Sequence, residues 1–420
     1  MKSFVLHGDF IWSETPQTLC MRPDAYAVCD EKGKCAGVFD ALPPQYAALP
    51  LRDYAGKLII PGYNDLHLHA GQYRNVGLGM DLQLLEWLDT LTFPEEARFA
   101  GLDFAEEVYS RFAERLRRGF TTHAAIFATV HVPATLLLME KLEKTGLRTL
   151  VGKVNMDRNC PDYLREKGAE ASLAATEQWL EAVAGRFKNT APILTPRFVP
   201  SCTAELMEGL GAIAAAYGVP VQSHLDENHD EIEWVKKLHP DYPSYAAVYD
   251  GMGLLGPDAL MAHCIYMTDE ETQLMKARGA WVVHCPTSNI NVRSGIAPIR
   301  RYMNEGLNIG LGSDISGGHT LDMAAVLRRT IESSKILRQF EGIEPHLSAP
   351  EAFYLASRGG GAYFGRVGAF EPGYDFDAVV VDDAVERDGD DALSARFEKM
   401  IYRAKGRDVK AKFVAGHRVY

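Results

Sequence analysis

The sequence predicts a closed (β/α)8 barrel of the TIM type joined to a small β-sandwich drawn from both chain ends. Three observations carry this expectation. Eight short apolar runs alternate with helical periodicity between residue 57 and about residue 365, short alternating strands cluster at the two termini, and several imidazoles and one carboxylate sit at the ends of the runs. With 420 residues the chain has room for a barrel, which takes about 250, and an appendage.

In chain order the runs are Leu58-Ile59-Ile60, Ala124–Phe127, Thr149-Leu150-Val151, Pro192-Ile193-Leu194, Val219-Pro220-Val221, Ala259-Leu260-Met261, Ala280–Val283 and Leu307–Leu311. Between most of them lie segments such as Phe104–Leu116, Leu173–Arg186, Ala204–Tyr217 and Glu271–Lys276, with apolar residues at i, i+3 and i+4. Strands alternating with helices require parallel crossovers, and eight units favour a closed barrel over an open doubly wound sheet. Residues 57–367 are therefore assigned to the barrel. Residues 1–56 and 368–420 carry strand signals such as Ala25–Cys29, Ala378–Asp382 and Val409–Val414. Neither end holds enough apolar surface to fold alone, so the two are expected to pair as one composite β-sandwich. The acidic run Asp382–Asp391 reads as a solvated loop.

Composition narrows the function classes. Forty-four Lys and Arg against 56 Asp and Glu leave a formal charge of −12, which argues against a nucleic-acid or anionic-membrane partner. Seven cysteines, with no CxxC, fit a reduced cytoplasmic protein rather than a disulfide scaffold. The apolar run after Met1 breaks too early for a signal peptide. Gly119–Met139 lacks Asp, Glu, Lys and Arg but contains several Thr and His, so it reads as strand, loop and helix start rather than a membrane span. Phosphate loops, nucleophile elbows and the HxE…PCxxC signature of zinc nucleobase deaminases are absent.

The chemistry-bearing residues share one placement. In a strand, His67 and His69 point to the same side, about 6–7 Å apart along the chain, and two neutral imidazoles so placed can hold one divalent ion. His224 ends the fifth run, His263 ends the sixth and Asp314 follows the eighth. All lie at the C-terminal ends of strands, the face on which barrel active sites assemble. Several His and one carboxylate suit Zn2+, with Fe2+ an alternative. Glu227, three residues beyond His224, can swing a carboxylate back over an attacking water and shuttle its proton. Asp226 and Glu231 are rivals for that role, read as solvent-exposed loop acids. Arg197 at a strand end is a rigid donor fork suited to a carbonyl edge, and Gln72 can both donate and accept. His284 is a possible substrate contact or loop organiser, and His319 is placed near the mouth.

Pro61–His69, with His224, His263 and Asp314 downstream, resembles the amidohydrolase superfamily, as does the tail Gly368–Asp377. The blocks Ala70–Tyr73, Leu85–Leu88, Thr92–Glu96, Gly152–Asp157, Thr195–Phe198, Ser223–Asn228 and His284–Asn289 are similar to those of the guanine deaminase family within it. The resemblance implies one catalytic zinc held by His67, His69, His224 and Asp314, with His263 either a further ligand or a partner of the attacking group. It implies that Glu227 and Asp314 carry protons, that Gln72, Arg197 and Phe198 contact a purine together with Glu227, and that the enzyme is a homodimer. Relatives with two metals use a lysine on the fourth strand; here that strand ends in Arg197 and Lys153 belongs to the third, which favours a single ion. The implied reaction is hydrolysis of guanine to xanthine and ammonia, with cytosine, an oxidised purine or a triazine as the alternative ring.

Overall fold

The computed structural model describes residues 2–342, 345–384 and 391–420. Four N-terminal strands, β1 (Phe4–Ser13), β2 (Leu19–Cys29), β3 (Cys35–Phe39) and β4 (Leu51–Ile60), join three C-terminal ones, β15 (Ala378–Val381), β16 (Val409–Val414) and β17 (His417–Arg418). They form one seven-stranded sheet in the order β17-β16-β15-β4-β1-β2-β3. All ten residues of β1 are buried, and β1 runs parallel to β4. The two chain ends meet where β4 pairs antiparallel with β15, with Ile60 opposite Val379 and Leu58 opposite Val381.

The run Leu58-Ile59-Ile60, expected as the first barrel strand, is therefore the end of β4. The first barrel strand is β5 (Tyr63–His69), seven fully buried residues just beyond Pro61-Gly62. Both segments are apolar, so hydrophobicity alone could not rank them, and the polar pattern of β5 reflects what it carries into the barrel. The remaining barrel strands are β6 (Thr121–Phe127), β7 (Arg148–Gly152) with its extension β8 (Val154–Asn155), β9 (Thr190–Pro192) with β10 (Thr195–Pro196), β11 (Val221–Leu225), β12 (Ala259–His263), β13 (Trp281–His284) and β14 (Asn308–Leu311). They form two parallel four-stranded runs, β5-β6-β7-β9 and β11-β12-β13-β14, linked through β8–β10 and a bridge from Leu194 to Val221. The ring closes where the chain beyond β14 meets β5: Asp314 N donates to His67 O at 2.8 Å and His69 N to Ile315 O at 2.9 Å. Gly312 is required there, because a Cβ would lie 2.8 Å from the His67 Cβ and 2.9 Å from Cys285 Sγ.

The charge-free stretch from residue 119 to 139 forms β6, a short loop and the start of the helix Val132–Glu143, as expected. Among the described residues no helix is long and apolar enough to cross a membrane, and all seven cysteines are unpaired. Of the acidic run expected as a solvated loop, residues 385–390 lie outside the described residues. Its first members are engaged: Asp382 pairs with Lys57, and buried Asp383 takes two bonds from Arg396, which also reaches Asp9 at 2.6 Å.

Lys412 ties the terminal sheet to the barrel. Its fully buried ammonium donates to Leu116 O, Gly119 O and Thr121 O at 3.2, 2.9 and 2.7 Å, where the helix Leu102–Arg118 gives way to β6. The last carbonyls of a helix lack intrahelical donors, so a cation there answers both hydrogen bonding and dipole. Lys412→Met keeps the bulk and removes the donors. It is expected to lower stability by about 3 kcal/mol, read from the denaturant midpoint, and to leave turnover by the folded protein unchanged.

Candidate active site

Five polar side chains predicted from separate parts of the sequence converge at the C-terminal end of the barrel. His67 and His69 alternate with Leu66 and Leu68 on β5, so both imidazoles face the interior while the leucines pack into the core. Their Nε2 atoms are 3.2 Å apart, and each lies 3.2 Å from Asp314 Oδ1. The His224 ring centroid is 4.8 Å from that of His67 and 5.3 Å from that of His69. One ligand nitrogen from each of these three lies within 4.8 Å of the others. Two nitrogens bound tetrahedrally at about 2.0–2.1 Å from one ion sit roughly 3.3 Å apart, so the His67–His69 spacing fits a shared cation.

The outer nitrogens fix ring orientation. His224 Nδ1 bonds to Arg197 O at 2.6 Å and His263 Nδ1 to Asn289 Oδ1 at 2.8 Å, which turns each Nε2 inward. Nε2 of His263 has no hydrogen-bond partner although buried, and it lies 3.3 Å from Glu227 Oε2 and 3.9 Å from Asp314 Oδ2. Burial holds His67 down to about 4 and His224 well below its usual value, so both imidazoles are neutral and able to ligate. Burial alone would raise Asp314, but the adjacent imidazoles of His67 and His69 bring it well below the usual carboxylate range. The donor set of neutral imidazoles and one carboxylate therefore suits a divalent ion.

The strand ends are bent to achieve this. Asp226, His263, Cys264 and Asp314 have φ of 50°, 75°, 49° and 45°, left-handed values that side chains other than glycine rarely adopt. Such residues cost on the order of 1–3 kcal/mol each and concentrate at functional sites. The turn after β11 delivers Glu227, whose Oε1 accepts from Ser294 Oγ at 3.1 Å. Burial, reinforced by the Asp314 carboxylate, pushes Glu227 up to about 8. A carboxyl group poised near neutral pH can both take and return a proton.

Gln72, Arg197 and Phe198 reach the same cavity as Glu227 and Asp314, and Trp87 and Leu88 supply apolar wall from a segment between β5 and β6. Phe198 is braced edge-on by Trp234 at 6.4 Å. The arrangement can take a flat ring with polar edges. Two expectations are corrected. Asp226 and Glu231, read as exposed loop acids, are 1 % and 0 % exposed. Glu231 caps the helix His229–Leu238 and accepts from Glu227 N at 3.1 Å and from Tyr245 Oη at 2.8 Å, so it holds the turn in place. The Asp226 carbonyl receives Ile265 N and Tyr266 N. His319 rests on Asn291 at 3.0 Å and is not part of the cavity wall, and neither is buried His284, whose carbonyl accepts Gly312 N. Lys153 turns to Glu166 and Ser172, outside the imidazole cluster. Glu96, buried behind Gln72 and Arg197, lies in the Thr92–Glu96 block of the family resemblance but has no role assigned to it from sequence.

A barrel that gathers imidazoles and an aspartate at its C-terminal rim defines a metal-dependent hydrolase, and the model of the amidohydrolase family matches residues 58–419; the chain belongs to that family. Within it, similarity over most of the chain runs to guanine deaminases. The Dictyostelium discoideum guanine deaminase is 40% identical over 376 residues, covering 87% of this chain and 83% of the relative. The Homo sapiens enzyme is 39% identical over 378 residues, covering 86% and 83%. A crystal structure of guanine deaminase from C. acetobutylicum with bound guanine superposes with a TM-score of 0.97 at 45% identity, over 100% of both chains.

Proposed function

We propose that this chain hydrolyses guanine to xanthine and ammonia, using one zinc ion held by His67, His69, His224 and Asp314. The observation that carries the reading is the cavity itself, in which that cluster and Glu227 share one space with the donor-bearing Gln72 and Arg197 and the Phe198 ring. The guanine bound by the similar C. acetobutylicum enzyme supports the same ring. When bound, the ion supplies Lewis-acid activation of water and a positive field beside the developing tetrahedral carbon.

The chain's own residues do the rest. Arg197 and Gln72 hold the 6-oxo and N7 edge of the purine, and Phe198 packs against its face. Glu227 takes a proton from the attacking water and delivers it to ring N3 as oxygen adds at C2. Asp314 accepts the remaining proton and passes it to the departing 2-amino group, which leaves as ammonia. His263, within 3.3 Å of Glu227 and 3.9 Å of Asp314, keeps both carboxylates aligned with the attacking oxygen. The reading extends to a cytoplasmic homodimer acting in purine breakdown, with the barrel from β5 to residue 367 as the catalytic unit and the terminal segments, 1–60 plus 368–420, as its companion. The family resemblance and the seven unpaired cysteines support this extension.

The test is turnover of guanine, cytosine, 8-oxoguanine and an aminotriazine side by side, with elemental analysis of the same preparation. Guanine is expected to give the highest kcat/KM, with about one zinc per chain. A faster reaction with any other ring would overturn the substrate, and turnover without bound metal would overturn the mechanism.

A further inference from the structure

The two side chains that face the ring's oxo edge are joined through a third that does not reach the cavity. Gln72 and Arg197 line the cavity, whereas Glu96, on the short helix Phe93–Ala97, is 1 % exposed and stands behind them. Each of its oxygens serves one partner: Oε1 accepts from Gln72 Nε2 at 2.9 Å and Oε2 accepts from Arg197 Nη1 at 2.6 Å. The Phe93 ring lies against the same guanidinium, 5.1 Å from its centre.

This arrangement fixes what the pair can offer. An amide has a donor end and an acceptor end, and its choice between them decides which ligand edge it reads. A carboxylate only accepts, so the Gln72 NH2 must face Glu96, and Gln72 Oε1 is taken by Ser316 N at 3.3 Å. One Nε2 hydrogen remains. On Arg197 the bonds left after Glu96 are again all donors. Apart from one lone pair left on Gln72 Oε1, the wall presents N–H groups.

We infer that Glu96 is a specificity-determining positioning residue, which locks Gln72 and Arg197 into a donor-rich wall that admits a purine carrying a 6-oxo acceptor and disfavours one carrying a 6-amino donor. The inference rests on the guanine reading and adds the residue that enforces it. Neighbouring O6 and N7 acceptors of an oxopurine match such a wall. A 6-amino group sets donor against donor, and a site built for a hydrogen bond discriminates strongly when that bond cannot form. Neutralising Glu96 frees the Gln72 amide to rotate and releases Arg197 from its anchor.

The experiment compares guanine with 2,6-diaminopurine, which keeps the 2-amino leaving group, replaces the 6-oxo acceptor by a 6-amino donor and with it turns N1 from a donor into an acceptor. The wild-type protein is expected to favour guanine in kcat/KM by at least about 100-fold. Glu96→Gln is expected to narrow that preference about tenfold or more. Most of the change should lie in a raised KM for guanine, with kcat less affected and zinc content unchanged. A merely structural role would lower activity on both substrates together and leave their ratio alone. If Glu96→Gln loses metal or unfolds, Glu96→Asp, which keeps the charge at shorter reach, is expected to narrow the preference about threefold or more. A preference unchanged in whichever variant retains zinc overturns the assignment and leaves the guanine reading intact. A wild-type protein that fails on guanine overturns the parent reading before Glu96 is tested.

Discussion

Glu227→Gln lowers kcat on guanine by about 10³-fold or more, while zinc content and melting temperature stay close to those of the parent. The substitution preserves shape and the bond from Ser294 Oγ, 3.1 Å from Oε1, but removes the capacity to carry a proton. General acid–base groups typically contribute about 10²–10⁴-fold, and the upper part of that range is expected here because one group serves both the water and ring N3. A 10³-fold loss corresponds to about 4 kcal/mol of transition-state stabilisation. Steady-state kinetics beside elemental analysis separates the outcomes. A variant that holds zinc and turns over at a tenth of the parent rate would remove Glu227 from the proton path.

The second large effect follows from the four side chains that crowd one point. Dialysis against a strong chelator is expected to abolish detectable turnover, and one equivalent of zinc per chain is expected to restore it. A bound divalent ion lowers the pKa of water from 15.7 to about 7, a gain that the protein's own groups cannot replace. Stability should fall with the metal. Imidazoles held with Nε2 atoms 3.2 Å apart, beside a carboxylate 3.2 Å from each, are arranged around a charge that they share. Resupplying zinc at about 100 times its dissociation constant should add about 2.7 kcal/mol, visible as a higher melting temperature. Full activity in the chelated protein would exclude a catalytic ion.

The parts of this site that were legible in the sequence are those with local geometry. Alternation in a strand places His67 and His69 together, and the termini of apolar runs place His224, His263 and Asp314 at one rim. Less legible were roles set by tertiary burial. Asp226, Glu231 and Glu96 are acids in polar segments, indistinguishable by composition from solvated ones. Glu231 is buried against the Tyr245 hydroxyl and Glu96 against Arg197, partners that come from elsewhere in the chain, and Asp226 sits in a turn whose carbonyl receives Ile265 N and Tyr266 N. The same limit applied to Leu58-Ile59-Ile60. An apolar triplet declares that it will be covered without declaring by which sheet, and its partner Val379-Val380-Val381 lies about 320 residues away.

That distance has a consequence for how the molecule is made. At roughly 5–20 residues per second, a ribosome needs on the order of 20–60 seconds to go from β4 to β15. Throughout that interval the nascent chain carries β4 with one flank unpaired, its buried isoleucines open to any passing strand. Overexpression should therefore yield inclusion bodies seeded from the amino-terminal segment, and slowing synthesis or supplying a holdase should improve recovery more than any change to the catalytic rim.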